Sequence, residues 1–371
     1  MGSESWQRMR RAAWPLILDF NGTTRRAVTS STKMTLVPCC LGPHGASERH
    51  APPGASRRLA RMRGWVDVTC WDVRVPGMID QLPIVEREIA LRLTEVFNAA
   101  SHELYLVGGA VRDLLLGQHL VDLDFATSAT PDITRQIAAQ ADPSGTYDIG
   151  EAFGTIGLIF RFPADEKTIH VEITTYRSEV YPTADRKPQV THGVDLIEDL
   201  ARRDFTINAM ALQAREARLV DPWNGIADLQ NRRIVAVGDP VERFNEDPLR
   251  ILRAARFAAQ LDFEIDEATH AAMLSTGPQL ERISRERMTA ELNTLLTSTA
   301  VRRGLEVLDA CDLYRHVLPE LVPLVEDDQQ LVGARHKDIW DHTLQVVART
   351  PARLAVRWAA LLHDTGKPKT R

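Results

Sequence analysis

The sequence predicts an α+β protein, with a head built from a small mixed sheet and helices followed by an all-helical neck and body. Three observations predict it. A short apolar run, "LYLV", and two segments with strand-like alternation, "AFGTIGLIFRF" and "TIHVEITTY", are interleaved with helical periods between residues 104 and 176. After Asp204 the chain reads mostly as helix apart from a strand in "ARLVDP", and from Pro248 onward helical periods dominate. A length of 371 residues leaves room for two or three domains and shows no internal repeat.

The elements follow in order. "MIDQLPIVEREIALRLTEVFNAA" is amphipathic and predicts a helix over about 82–100. Leu104–Val107 reads as a short buried strand and Ala110–Leu116 as a short helix, and Val121–Ala126 reads as a second strand. "TPDITRQIAAQA" is a helix with Thr130 as its cap and Pro131, whose lost N–H costs nothing there, at its first position. The two alternating segments that follow predict paired strands, and "RSEVYPTADRKPQVTHG", with two prolines, predicts a charged loop. The expected domains are a head over 78–225, a helical segment over 226–330, which the family resemblance given below makes an RNA- and nucleobase-binding neck, and a segment over 331–371, which a second resemblance makes a truncated HD-like domain.

Residues 1–77 differ from the rest. They hold 12 Lys and Arg against 5 Asp and Glu, whereas the remainder holds 33 against 45. Rich in Gly, Pro, Ser and Arg, this stretch lacks a sustained apolar period and cannot offset its ordering entropy by burial. It reads as a disordered or spurious extension, with Met78 as an alternative start. No apolar run nears the roughly 20 residues that span a bilayer, so a membrane partner is not expected. The four cysteines do not form a disulfide framework, which fits a reducing, cytoplasmic setting. The acidic balance beyond residue 77 disfavours nucleic-acid binding except through a local basic patch.

Two features within "LYLVGGAVRDLLLGQHLVDLDFAT" carry chemistry. On a strand, Asp122 and Asp124 share one face and Leu123 and Phe125 the other. Paired carboxylates repel unless a cation lies between them, and hard oxygen ligands suit Mg²⁺. Gly108-Gly109 falls between strand and helix, where a glycine turn brings backbone N–H groups up to a phosphate. One element would hold the phosphates of a nucleoside triphosphate and the other the metal bridging them. Glu172 is a third acid, sharing a strand face with His170 opposite Ile169, Val171 and Ile173. Beside the DxD strand it would complete a cluster of the kind used in metal-assisted phosphoryl transfer.

"LVGGAVRD", "DLDFAT", "RRDFTINAMAL", "DPWNGIADL" and "EDPLRILRAARF" occur in that order. They resemble the successive motifs of the bacterial-type (class II) tRNA nucleotidyltransferase and poly(A) polymerase family, within the polymerase-beta-like superfamily, over roughly residues 80–371. The resemblance implies a polymerase-beta-like head and template-free, Mg²⁺-dependent addition of CMP, CMP and AMP, from CTP and ATP, to the tRNA 3′ end. It implies that Asp122, Asp124 and Glu172 are catalytic, with the two aspartates on Mg²⁺. Gly108, Gly109 and Arg112 would meet the nucleotide and Arg203 the triphosphate, and "DPWNGIADL" would be a hinge. "EDPLR" matches the nucleobase-reading motif, with Arg253 and Arg256 further along the same helix.

The residue chemistry supports that motif independently. Asp247 and Arg250, three apart, would share a helix face. A carboxylate and a guanidinium fork match the amino donor and ring acceptors of cytosine or adenine and mismatch uracil and guanine. The alternative for the pair is a surface salt bridge beside a basic, RNA-facing helix. Arg282, Arg285 and Arg287 in "ERISRERMTAELNTLL" read as structural or tRNA-facing. Finally, "HKDIWDHTLQVV" and "RWAALLHDTGKPKTR" resemble the beginning of an HD phosphohydrolase domain, with His342, His363 and Asp364 as three metal ligands. A full domain of that type needs further helices and a later aspartate. The alternatives to CCA addition are a poly(A) polymerase, an enzyme adding only part of CCA, or, in a different class, an HD-type metal phosphohydrolase or an inactive RNA-binding fragment.

Overall fold

The computed structural model describes residues 72–118, 122–149, 154–162, 167–180, 189–192, 195–326 and 339–366. The extension over 1–71 and the centre of the expected charged loop lie outside them. In the head the elements are β1 (Asp72–Arg74), α1 (Ile84–Ala99), β2 (Leu104–Val107), α2 (Gly109–Leu115), β3 (Leu123–Thr127), α3 (Pro131–Ala139), β4 (Gly145–Ile149), β5 (Thr155–Phe162), β6 (Lys167–Thr175), β7 (Arg177–Val180), β8 (Gln189–His192), α4 (Leu196–Ala201), β9 (Ala211–Gln213) and β10 (Arg218–Val220).

Among the described residues an eight-stranded sheet runs in the order β1-β10-β9-β2-β3-β6-β5-β4. Only the β3–β6 pair is parallel, and this joins the DxD strand to the Glu172 strand. The apolar alternation dictates the packing. Leu123, Phe125, Val171, Ile173, Ile156 and Leu158 point to one face and are almost fully buried with Leu93 and Phe97 of α1. Each such side chain contributes roughly 1.5–3 kcal/mol by leaving water. The opposite face carries Asp124 and Glu172, while toward β2, β9 and β10 a second apolar cluster of Tyr105, Val107, Ala126, Ala211 and Val220 packs with Leu196 and Leu200 of α4.

The structure corrects several expectations. Residues 72–77 do not belong with the extension. Asp72–Arg74 pairs antiparallel with β10, the Val75 amide donates to the Ala217 carbonyl at 2.7 Å, and Val75 and Met78 are buried. The ends of the charged loop are a hairpin, Arg177–Val180 against Gln189–His192, and neither proline falls within the paired residues, where a missing donor would break the ladder. β4 and β9 were not anticipated, since "GTYDI" follows a turn-like "DPSG" and "ALQ" is too short for a period to show. Thr130 does sit at the N-cap of α3 with Pro131 next, but its side chain makes no capping bond.

The helical part comprises α5 (Gly225–Gln230), α6 (Pro240–Glu246), α7 (Leu249–Leu261), α8 (Glu267–Thr276), α9 (Arg285–Thr297), α10 (Val301–Ala310), α11 (Tyr314–Val317), α12 (Val322–Glu326), α13 (Ile339–Arg349) and α14 (Leu354–Leu362). A short β11–β12 ribbon, Arg233–Ile234 with Glu264–Ile265, joins it. One apolar core runs from Phe205 and Ile207 through Phe244, Leu252 and Phe257 to Trp340, Leu344 and Leu361. Phe205 and Ile207 thus precede the expected 225/226 boundary yet pack with the helices, while Ile226 packs on the head core. The "DPWNG" segment makes this join tight. Asp221 accepts from the Gly225 and Ile226 amides at 2.7 and 2.9 Å, and a Cβ on Gly225 would run into the Thr206 carbonyl. No helix among the described residues is long and apolar enough to cross a membrane.

Candidate active site

Parallel pairing sets Asp124 directly against Glu172, and directly paired residues project to the same face. Asp122 lies just ahead of β3 and is exposed. The three acids feel one another. Burial, then Glu172, then Asp122 push the Asp124 carboxyl up to about 6, with Arg203 opposing. Burial and then Asp122 raise Glu172, with His170 opposing. Crowded carboxylates that raise each other's proton affinity are the electrostatic mark of a cation site, and an all-oxygen set fits Mg²⁺.

The glycine pair sits on the β2 side of this row. Gly108 has φ 68° and ψ −132°, a backbone that side chains disfavour. A Cβ there would come within 2.8 Å of Arg203 Nη1. Glycine therefore lets the Arg203 guanidinium lie on the turn. Arg203 is held from behind by Asp199, Nη2 to Oδ2 at 3.2 Å, and its buried Nε has no hydrogen-bond partner among the described residues. Asp199 is fully buried and also binds Arg202. Burial works against its charge, but Arg203 and then Arg202 outweigh that and hold its carboxyl below the ordinary range. Gly109 opens α2, and Arg112 on that helix is committed to protein partners. Its fork grips Asp113 at 2.8 and 3.0 Å and its Nη1 donates to Asn208 Oδ1 at 2.7 Å.

The α7 residues depart from expectation in one respect. Asp247 and Arg250 do not share a helix. Pro248 disfavours helical backbone in the residue before it, so Asp247, at φ −139° and ψ 101°, ends α6 in extended conformation and α7 starts afterwards. The two side chains take separate partners. Asp247 Oδ2 accepts from Arg287 Nη2 at 2.8 Å, and its Oδ1 accepts from the Leu249 amide. Arg250 is buried, with Nη1 on Glu246 at 2.7 Å and Nη2 on the Arg202 carbonyl at 2.7 Å. Arg253 grips the buried Asp204 at 2.8 and 2.6 Å. Burial raises the proton affinity of Asp204, but Arg253, a bond from Asn208 and others bring it far below the ordinary range. Arg256 pairs with Glu291 at 2.6 Å and lies 4.1 Å over the Phe257 ring.

Asn208, Asp199 and Asp204 thus tie the predicted residues together, and sequence reading did not single them out. Asn208 Nδ2 donates to Asp204 Oδ1 at 3.0 Å, so hydrogen bonds run from Arg112 through Asn208 and Asp204 to Arg253. For Asp204 and Asn208 the available signal was their place in "RRDFTINAM"; Asp199 lies three residues before that segment. In the last helices, His342, His363 and Asp364 come together, with potential ligand atoms within 4.8 Å of one another.

Comparisons with known proteins show which families the chain resembles. The chain matches the poly A polymerase head domain over residues 104–235 and the probable RNA and SrmB-binding site of polymerase A over 262–324. It is 45% identical over 244 residues to the CCA-adding enzyme of Streptococcus suis, covering 66% of this chain and 57% of that one. It is 41% identical over 260 residues to the CCA-adding enzyme of Levilactobacillus brevis, covering 70% and 62%. Among solved structures, the Bacillus stearothermophilus CCA-adding enzyme in complex with CTP aligns with TM-score 0.59 and 32% identity, over 75% of this chain and 62% of that one. The Thermotoga maritima CCA-adding enzyme complexed with tRNA aligns with TM-score 0.57 at 22% identity, over 80% and 74%, a likeness of fold alone. The chain spans about three-fifths of the length of the curated relatives it matches.

Proposed function

The chain belongs to the bacterial-type CCA-adding enzyme family, and from that premise we propose that it is a tRNA nucleotidyltransferase adding CCA to tRNA 3′ ends from CTP and ATP without a nucleic-acid template. The observation that carries the proposal is the Asp122–Asp124–Glu172 row next to the Gly108 turn and its overlying Arg203.

In this reading Gly108, Gly109 and Arg203 hold the triphosphate, Arg203 with an Nε that has no hydrogen-bond partner among the described residues, while Arg112 fixes α2 against Asn208. Asp122 and Asp124 are the oxygen donors that would hold Mg²⁺, which when bound neutralises phosphate charge and acidifies the attacking hydroxyl. The RNA 3′ hydroxyl attacks the α-phosphorus, the bond to the diphosphate breaks and pyrophosphate leaves. Glu172, with its raised proton affinity, is the base for the hydroxyl proton. Asp247 exchanges Arg287 for the amino group of cytosine or adenine, beside Arg250, and Arg253 and Arg256 align the nucleotide-facing side of α7. The head over 78–225 with β1 added, the neck over 226–330 and the HD-like segment over 331–371 divide these tasks. Action on tRNA in this manner belongs to the cytoplasm.

The test is incorporation into tRNA lacking its 3′ end, with CTP and ATP supplied separately and together. CCA addition requires both; repeated addition from ATP alone would indicate a poly(A) polymerase, and addition halting after CC or confined to A a partial enzyme. A second reading rests on the His342–His363–Asp364 cluster, whose donors fit an HD-type phosphohydrolase. Phosphate release from nucleotides without incorporation would favour it, and neither activity would leave an RNA-binding fragment.

A further inference from the structure

The carboxylate row continues across the sheet to a tyrosine that neither the motifs nor the comparisons assign. Asp124 pairs with Glu172, Glu172 with Gly157 on β5, and Gly157 with Tyr147 on β4. Directly paired residues share a face, so Tyr147 stands on the carboxylate face, two strands beyond Glu172. Gly157 supplies the gap in which the ring lies down, because a Cβ there would fall inside the Tyr147 ring. One ring face is thereby covered by β5, and Tyr147 stays partly exposed. His170, two residues before Glu172 and hence on the same face, is exposed and meets the tyrosine edge-on, at 6.2 Å between centroids and 70° between planes. Glycine in a strand interior weakens the strand unless something must approach closely, and here an aromatic ring does.

The position of this pair relative to the triphosphate gives it a role. In-line displacement places the attacking oxygen and the departing diphosphate on opposite sides of the phosphorus. Gly108 and Arg203 stand on the β2 side of Asp124, whereas Gly157, Tyr147 and His170 lie toward β5 and β4. The acceptor strand must therefore come over the tyrosine side. Single-stranded RNA ends are held chiefly by stacking their bases on aromatic side chains.

Resting on the nucleotidyl-transfer reading, we propose that Tyr147, seated on Gly157 and flanked by His170, is the platform on which the 3′-terminal base of the RNA acceptor stacks, delivering its ribose hydroxyl to the Glu172 end of the carboxylate row. Tyr147 is a positioning residue and takes no part in proton transfer.

The test uses the full chain and a short RNA hairpin whose single-stranded 3′ end carries 2-aminopurine, a base whose fluorescence is quenched on stacking, with no nucleotide present. The wild type should quench it, and Tyr147→Phe should quench equally. Tyr147→Leu, which still covers Gly157 without an aromatic face, and Gly157→Ala, which displaces the ring while leaving tyrosine in place, should both lose the quench. Melting curves identify a variant that fails to fold, and the other then decides. In steady-state incorporation, the acceptor KM of Tyr147→Leu should rise about 5- to 150-fold, the range expected for one base–aromatic stack, with the CTP KM unchanged. No quench by the wild type, an undiminished quench in folded Tyr147→Leu, or parallel rises in both KM values would overturn the platform. A wild type that quenches but incorporates nothing would overturn the transfer reading and leave the platform. A wild type that incorporates while Tyr147→Leu quenches normally would do the reverse.

Discussion

On β3 and β6 three carboxylates face one another with Arg203 the cation offsetting Asp124, whereas around α7 acids and arginines are matched almost one for one. Asp204 meets Arg253 at 2.6 Å, Glu246 meets Arg250 at 2.7 Å and Asp247 meets Arg287 at 2.8 Å. The same residue types are thus arranged for opposite ends. The row keeps unneutralised negative charge on a sheet face whose other side is apolar core, a charge that a bound cation would relieve. Around α7 the charge is nearly balanced, with Glu246 and Glu291 each shared between two arginines, so the lattice holds shape, and a ligand enters by taking a partner from an existing pair. In the proposed reading the first region is arranged for chemistry at the expense of stability, and the second contributes geometry.

The largest expected effect tests the first half of that contrast. Asp124→Asn should abolish incorporation because an amide cannot supply the anionic ligand, and it should raise the melting temperature of the metal-free chain by removing like-charge repulsion. Near-wild-type activity with normal Mg²⁺ dependence would break the comparison. Next in size, Asp204→Ala should destabilise by about 3–5 kcal/mol in denaturant titration, because it leaves the Arg253 guanidinium buried without its counter-charge. Unchanged stability would show that the lattice is not structural.

Nucleotide choice comes third. Asp247→Ala should erode discrimination against UTP and GTP by about 10- to 150-fold, the equivalent of a hydrogen bond to a charged group worth roughly 1.5–3 kcal/mol. Arg203→Ala should weaken all four nucleotides alike. Competitive incorporation measures both, and equal loss for every nucleotide in Asp247→Ala would assign that residue to the lattice alone.

A pH series sharpens the contrast further. Asp124 titrates at about 6 in the folded chain, above its unfolded value. Its contribution to metal-free stability is therefore full at acid pH and lost as pH rises through 6. Mg²⁺ binding requires the ionised form, so stabilisation by Mg²⁺ should grow between pH 5 and 7.5 while this part of the metal-free stability falls. Thermal shifts of wild type and Asp124→Asn at each pH isolate the term, and Asp124→Asn should lack that slope. The smallest effect concerns β1. A chain starting at Met78 should be less stable than one starting at Asp72 by about 2 kcal/mol, mostly the burial of Val75, with incorporation per folded molecule unchanged.

Much of this was legible in the sequence. A short apolar run located β2, and period-2 alternation located β5 and β6 and sorted Leu123 and Phe125 from Asp124, because the faces of a strand follow from covalent geometry alone. The glycine pair and the acids marked a site because their chemistry needs an explanation wherever they fall. The sequence missed elements too short for a period, such as β9, and it misread Asp247, where Pro248 overrode the three-residue spacing.

By itself, then, the chain determined which residues face the core, which acids share a strand face and which family the ordered motifs belong to. Only the tertiary structure decided that β3 and β6 run parallel in a register opposing Asp124 to Glu172, that Arg203 lies over Gly108, that Asp204 rather than a base takes Arg253, and that Tyr147 closes the row. The physical reason is one of range. Local pattern follows from geometry over a few residues, whereas strand register and ion-pair choice join residues tens of positions apart and are settled only when the whole core packs.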